Sequence, residues 1–313
     1  MRRIICASLL LLSGALVPIA SGAQDAASTE QVKRDVLWAR MADSIRAVIA
    51  GTDAVVGVAI LDLTDDRTFL HDADDVFPTA STIKIAVLAE LYRQHEHAST
   101  GSPGARLGDL YTADAKDLVG SSDIMGGLTP GITRITNRDL ATMMVAVSDN
   151  SATNVLIERV GMDRVNAWLA ELGLKSTRLR RQMMDVRAAQ QGRENTATPR
   201  ELVTLLAALH RGKVLNKANT EDFFKVLSTH KHGYIPQLLP AELTVADKPG
   251  DLDAVRNDAG IVFVPGRPFA IAVMTTFGRD EHASELAIAR ISRAAWSYFD
   301  RVGKSSPLGR VVR

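Results

Sequence analysis

The chain of 313 residues has a single cysteine, Cys6, and it stands in the first apolar stretch rather than in the body of the protein. An intramolecular disulfide is thereby impossible, and a cysteine nucleophile or thiolate metal site in the mature body is excluded as well. A marked excess of either charge is missing too. The 37 Lys and Arg against 36 Asp and Glu give a formal net charge of +1, which offers no basic field for nucleic acid. Aromatic residues make up 5% of the chain. Trp38, Trp168 and Trp296 fall on predicted helices, where they read as packing residues rather than a carbohydrate platform.

Only one long apolar run is present, Ile4 to Ile19, preceded by Arg2-Arg3 and followed by Ser21-Gly22-Ala23. It is short for a membrane span and is interrupted by Gly14 and Pro18, so it reads as a secretory leader cleaved after Ala23. A periplasmic or secreted product with no membrane attachment is expected. Cys6 lies inside the leader, not at its end, so it does not signal lipidation. The 11 prolines and 22 glycines are scattered, with no repeat, low-complexity tract or obvious linker. With 46% hydrophobic and 23% charged residues, the mature chain is an ordinary globular protein, expected to be monomeric, with one large core or two lobes.

Periodicity orders the elements. Val36, Leu37, Met41, Ile45, Val48 and Ile49 are spaced for one face of a helix over 32–49, which Gly51 ends. A strand over 54–63 and a second around Phe69-Leu70 form a hairpin about Asp65-Asp66. The pattern then becomes helical over 83–95, 137–147, 152–172, 198–211 and 220–227, with caps at Thr136, Thr198 and Asn219 or Thr220. Strand signals return after Leu243, at 260–264 and 269–276, before a last amphipathic helix over 284–299. Strands at both ends with helices between them imply an α/β protein whose termini share one sheet. The expected division is 24–71 with 243–313 for the α/β part and 72–242 for an inserted all-helical part, the site lying between them.

Three motifs follow one another: Ser81-Thr82-Ile83-Lys84, Ser148-Asp149-Asn150 and Lys248-Pro249-Gly250. A hydroxyl and an amine three residues apart at a helix start project into the same space, so the hydroxyl can pass its proton to the amine. A lysine serves as base only when burial or another cation holds it partly neutral, and Lys248 is a candidate for that cation. Each motif alone is weak, because Ser228-Thr229-His230-Lys231 and Lys231-His232-Gly233 repeat two of the patterns. Those copies adjoin a turn, whereas Ser81 precedes a long apolar helix signal and Lys248 precedes two strands.

In order and context the three motifs resemble the S-x-x-K, S-D-N and K-T-G set of class A β-lactamases and penicillin-binding serine acyltransferases. The resemblance spans most of the mature chain. It implies a five-stranded antiparallel sheet flanked by N- and C-terminal helices, beside an all-helical domain. It also implies roles: Ser81 attacks a carbonyl, Lys84 takes its proton, and Ser148 relays a proton to the leaving nitrogen. Asn150 would hold the lysine and a substrate amide, and Lys248 would supply positive potential. The backbone N–H groups of Ser81 and Asp251, the latter just after Gly250, would form the oxyanion hole. No cofactor and no metal is implied. His95-Glu96-His97 and His230-Lys231-His232 lack a helical zinc spacing.

Three departures qualify the resemblance. Counted back from Thr196-Ala197-Thr198-Pro199, the place of the family's deacylating glutamate holds Gln182, which cannot take a proton from water. Asp185 and Glu194 are nearby but read as loop or capping acids. Pro249 lacks the hydroxyl that the family uses toward a substrate carboxylate, which leaves Arg256 as a candidate grip. Asp251 puts a carboxylate beside the oxyanion hole. Asp149 reads as structural, and Arg180 as the residue that braces the loop through a buried carboxylate. The expected activity is opening of β-lactams or related amides through a Ser81 acyl-enzyme. The alternatives are a D-alanyl-D-alanine peptidase-like protein acting on cell-wall peptides with slow deacylation, and a binding module without catalysis.

Overall fold

The computed structural model describes residues 21–306 and 308–311; most of the expected leader lies outside them. Helix α1 (Ser21–Ala50) leads into strands β1 (Val55–Asp62) and β2 (Thr68–His71). A two-residue strand β3 (Phe77–Pro78) and a 3-10 turn over Ala80–Ile83 precede α2 (Lys84–Ser99). Strands β4 (Leu110–Thr112) and β5 (Arg134–Thr136) pair with each other, and α3 (Asn137–Ala146), α4 (Asn150–Val160), α5 (Met162–Glu171) and the short α6 (Val186–Gln190) follow. Strand β6 (Thr196–Ala197) pairs with β3 before α7 (Pro199–His210) and α8 (Lys217–Leu227). Strands β7 (Val245–Leu252), β8 (Val255–Val262) and β9 (Phe269–Thr276) lead to α9 (Glu281–Gly303).

The main sheet is antiparallel throughout in the order β2-β1-β9-β8-β7, so the first and last parts of the chain form it together, as expected. Its two faces differ in side-chain size. Val56, Val58, Ile60, Ile271 and Val273 meet α1 and α9 in one core, where Trp38 lies edge-on to Tyr298 at 5.1 Å between ring centroids. The opposite face presents Ala59, Ala246, Ala259, Ala270 and Ala272 to the helices, and these small residues let α7 lie close to β1 and β9. Helix α2 is buried on all sides from Ile85 to Tyr92, which makes it the core of the helical layer.

Local chemistry sets the boundaries. Thr136 and Asp139 form a capping box at α3, and Thr198 caps α7 with Pro199 in its first turn. Helix α8 starts earlier than the sequence implies and is capped by Asn216, not Asn219 or Thr220. The single helix expected over 152–172 is two, because Gly161 breaks it at φ 84°. Strand β8 starts at Val255 rather than Gly260. Its first half, Arg256-Asn257-Asp258, is polar and gives no strand signal, yet all three side chains are buried among hydrogen-bond partners.

Candidate active site

The three motifs converge between the sheet and the helical layer. Ser81 stands in the 3-10 turn rather than at the start of α2 proper. Asn257 fixes that turn from the sheet by donating to the Pro78 carbonyl at 2.8 Å, and the Thr79 N–H donates to the Asn195 carbonyl at 2.9 Å. Ala80 and Ser148, next to Ser81 in sequence and in space respectively, both have positive φ, 48° and 56°. Such backbone costs about 1–3 kcal/mol per residue and persists where the surroundings over-determine it.

Lys84 is fully buried and donates to the Ser148 carbonyl at 2.6 Å, the Ser148 hydroxyl at 3.0 Å and Asn150 Oδ1 at 2.9 Å. Ser148 Oγ in turn lies 2.9 Å from Ser81 Oγ. The sequence reading passes the Ser81 proton to Lys84; in the structure the hydrogen bonds from Ser81 reach Lys84 through Ser148. Burial, and next the charge on Lys248, hold the Lys84 ammonium well below the usual lysine range, against the opposing charges of Asp149 and Asp251. Asn150 also donates to the Gly120 carbonyl at 3.1 Å. Asp149 is buried and structural, accepting from the N–H groups of Ile124, Met125 and Ala152.

Lys248 and Gly250 lie on the same face of β7 as Ala246, toward the helical layer. Lys248 is 1% exposed, its Nζ donates to the Pro249 carbonyl at 2.8 Å, and burial lowers its pKa to about 8. Gly250 touches the 3-10 turn that holds Ser81: a Cβ there would sit 2.7 Å from the Ser81 nitrogen and 2.8 Å from the Thr79 carbonyl oxygen. Asp251 turns the other way. Tyr234 donates to it at 2.6 Å, which removes its carboxylate from the Ser81 side.

Arg256 is not brought to the cleft. It stands opposite Asp251 in the ladder, ion-pairs with Glu281 and Glu285, and donates to the carbonyls of Leu252 and Val255. Its donors are committed on the face toward α9. Arg181, not the exposed Arg180, braces the loop: it pairs with Glu194 at 2.8 Å, and Arg180 contributes a backbone N–H to Asn195. Gln182 points to Glu158 at 3.3 Å, Asp185 caps α6, and Glu194 is held by Arg181. No carboxylate is hydrogen-bonded to Ser81, Lys84 or Ser148 among the described residues.

Two anchoring residues escaped the sequence reading. Asn154 makes a reciprocal pair with the Met183 backbone, accepting at 2.8 Å and donating at 3.1 Å, and Asn195 ties the two ends of the loop by accepting from Arg180 and Arg181. The available signal for the first was its spacing, one helical turn after Asn150 on the same face.

The family model described as "Beta-lactamase enzyme family" matches residues 40–299. Beta-lactamase AST-1 of Nocardia asteroides is 31% identical, over 96% of each chain. Among solved structures, a β-lactamase of Sphaerobacter thermophilus superimposes with a TM-score of 0.75 at 31% identity, over 83% of this chain and 97% of that one. PBP-A superimposes with a TM-score of 0.73 at 25% identity, over 83% and 96%, and its L158E mutant has been solved as an acyl-enzyme complex with penicillin G.

Proposed function

Because the chain belongs to the β-lactamase enzyme family, we propose that it is an exported serine hydrolase that opens β-lactams or related cyclic amides through an acyl-enzyme at Ser81. The observation that carries this reading is the hydroxyl chain from Ser81 through Ser148 to Lys84. With Lys84 protonated, hydrogen bonds run from the ammonium outward to Ser81. With Lys84 neutral, its two N–H groups match the two carbonyl acceptors, Ser148 O and Asn150 Oδ1, and its lone pair accepts from Ser148. Both hydroxyls then turn over, and the Ser81 proton leaves toward Lys84 as Oγ bonds to the substrate carbonyl carbon. When the C–N bond breaks, Ser148 returns the proton to the departing nitrogen and is refilled from Lys84. The Ser81 N–H, beside Gly250, faces the developing oxyanion, and Lys248 supplies the cation.

Release of the acyl group requires water to be deprotonated and added to the ester. Gln182, which donates to Glu158, and the absence among the described residues of a carboxylate hydrogen-bonded to Ser81, Lys84 or Ser148 favour slow release, since a general base is typically worth about two to four powers of ten in rate. That observation also supports a second reading, a D-alanyl-D-alanine peptidase-like protein that β-lactams trap. Intact-mass measurement of a penicillin adduct over time tests both. The first reading expects an adduct that forms and decays with turnover, the second a stoichiometric adduct that persists. No adduct in the wild type, or one that survives Ser81→Ala, overturns both.

A further inference from the structure

Behind Lys248, on the other face of the same strands, lies a buried cluster that no catalytic step uses. Asp247 stands opposite Gly260 and Asp258 opposite Pro249, so the two acids are diagonal neighbours on one face of β7 and β8. They converge on one stretch of backbone. Asp258 Oδ2 accepts from the N–H groups of Tyr234 and Ile235 at 2.8 and 2.9 Å, and Asp247 Oδ2 lies 1.9 Å from where a Gly233 Cβ would be. Lys231, the lysine of the second S-x-x-K, is buried with them and bonds to Asp247 Oδ1 at 3.3 Å and to the Leu227 carbonyl at 2.7 Å. That leaves one oxygen on each acid, Asp247 Oδ2 and Asp258 Oδ1, buried without a partner. Two buried carboxylate oxygens without partners are costly, whereas a single proton between them satisfies both.

We propose that Asp247 and Asp258 share one proton, carried by Asp258 and donated to Asp247, and that this acid pair is a positioning element for Lys248. Asp247 keeps the negative charge because Lys231 pairs with it. Burial, and then the Asp247 charge, raise Asp258 well above the usual carboxylate range, which agrees with the assignment. The charges that act on Lys248 are those of Asp258, Asp247, Lys231 and Asp251 and, from the helical layer, that of Lys84. With Asp258 neutral, Asp247 and Asp251 are the anions that hold its proton. The link to acylation rests on the proposed function; the shared proton does not.

Asp258→Asn mimics the protonated acid, since its amide can donate to Asp247 while its carbonyl accepts from Tyr234 and Ile235. The infrared spectrum of the wild type at neutral pH should show a buried un-ionised carboxyl band that Asp258→Asn lacks; no such band overturns the proposal. The variant should melt close to the wild type near pH 5 and gain on it as pH rises, because a proton held by the fold contributes stability that is lost with rising pH. A melting point tens of degrees lower at neutral pH overturns it. In penicillin labelling of Ser81, the alkaline limb should stay in place in Asp258→Asn and move to lower pH in Asp247→Asn. Equal displacement in both contradicts the pair, and if Asp247→Asn does not fold the infrared and melting results decide. A wild type that is never labelled would sink the proposed function while leaving those two measurements standing.

Discussion

Strand β7 is two sites back to back. Toward the helical layer, Gly250 meets the 3-10 turn that holds Ser81 and Lys248 lies on the same face; toward α9, Asp247 and Asp251 answer Lys231, Tyr234 and Arg256. Residues one apart in the chain thus belong to different chemistry, because side chains on a strand alternate between faces. Charges close in sequence need not oppose each other across a sheet. Asp251, which by sequence threatened the oxyanion hole, is turned to the rear with Arg256, the expected carboxylate grip.

The comparison can be broken from either side. The largest effect is expected at the front, where Lys84→Ala should slow penicillin acylation of Ser81 by about two to four powers of ten in stopped-flow labelling. A variant labelled at the wild-type rate would remove Lys84 from the proton route. Gly250→Ala, also at the front, should cost about a hundredfold in the same assay by pushing on the Ser81 N–H, with little change in the rear cluster.

The loop offers a gain instead of a loss. Gln182→Glu should shorten the lifetime of the penicillin adduct by about a hundredfold, since a carboxylate beside Glu158 is repelled from that side. An unchanged adduct lifetime would show that the loop aims position 182 away from the acyl group whatever its charge. Arg256→Gln at the rear should leave acylation of a carboxylate-bearing penicillin within about threefold and lower stability by about 1–3 kcal/mol in urea titration. A large rise in KM would return Arg256 to the substrate.

Acidity separates the faces more finely. Lys248, lowered by burial to about 8, should give acylation a decline as pH rises through that value. Stability should move the other way from there toward the ordinary lysine range, because the unfolded chain binds a proton that the fold has released. A flat stability profile across that window would mean that Lys248 is not desolvated.

The candidate residues that the structure brings together are those picked out by short-range patterns. Ser81, Lys84, Ser148, Asn150 and Lys248 stood out because three motifs recur in order, and each lies where an apolar helix or strand pattern begins. The Asp149 side chain was legible as structural because an aspartate before a helix caps it. What failed depends on partners distant in the chain. The polar first half of β8 looks like a loop until Glu285 and the Tyr234 and Ile235 backbone satisfy it, and the choice of Arg181 over Arg180 rests on Glu194, thirteen residues away.

The amino-acid order by itself determined the alternation of elements, the shared sheet of the two chain ends and the three motifs that the fold brings together, since periodicity, caps and motif spacing act over a few residues. Only tertiary structure decided that Ser148 stands between Ser81 and Lys84, that Asp251 and Arg256 face the rear, and that Lys231 and two aspartates are sealed together behind Lys248. Those outcomes are set by which face of a strand a side chain takes and which buried polar group must find a partner, and both are fixed only when distant segments pack.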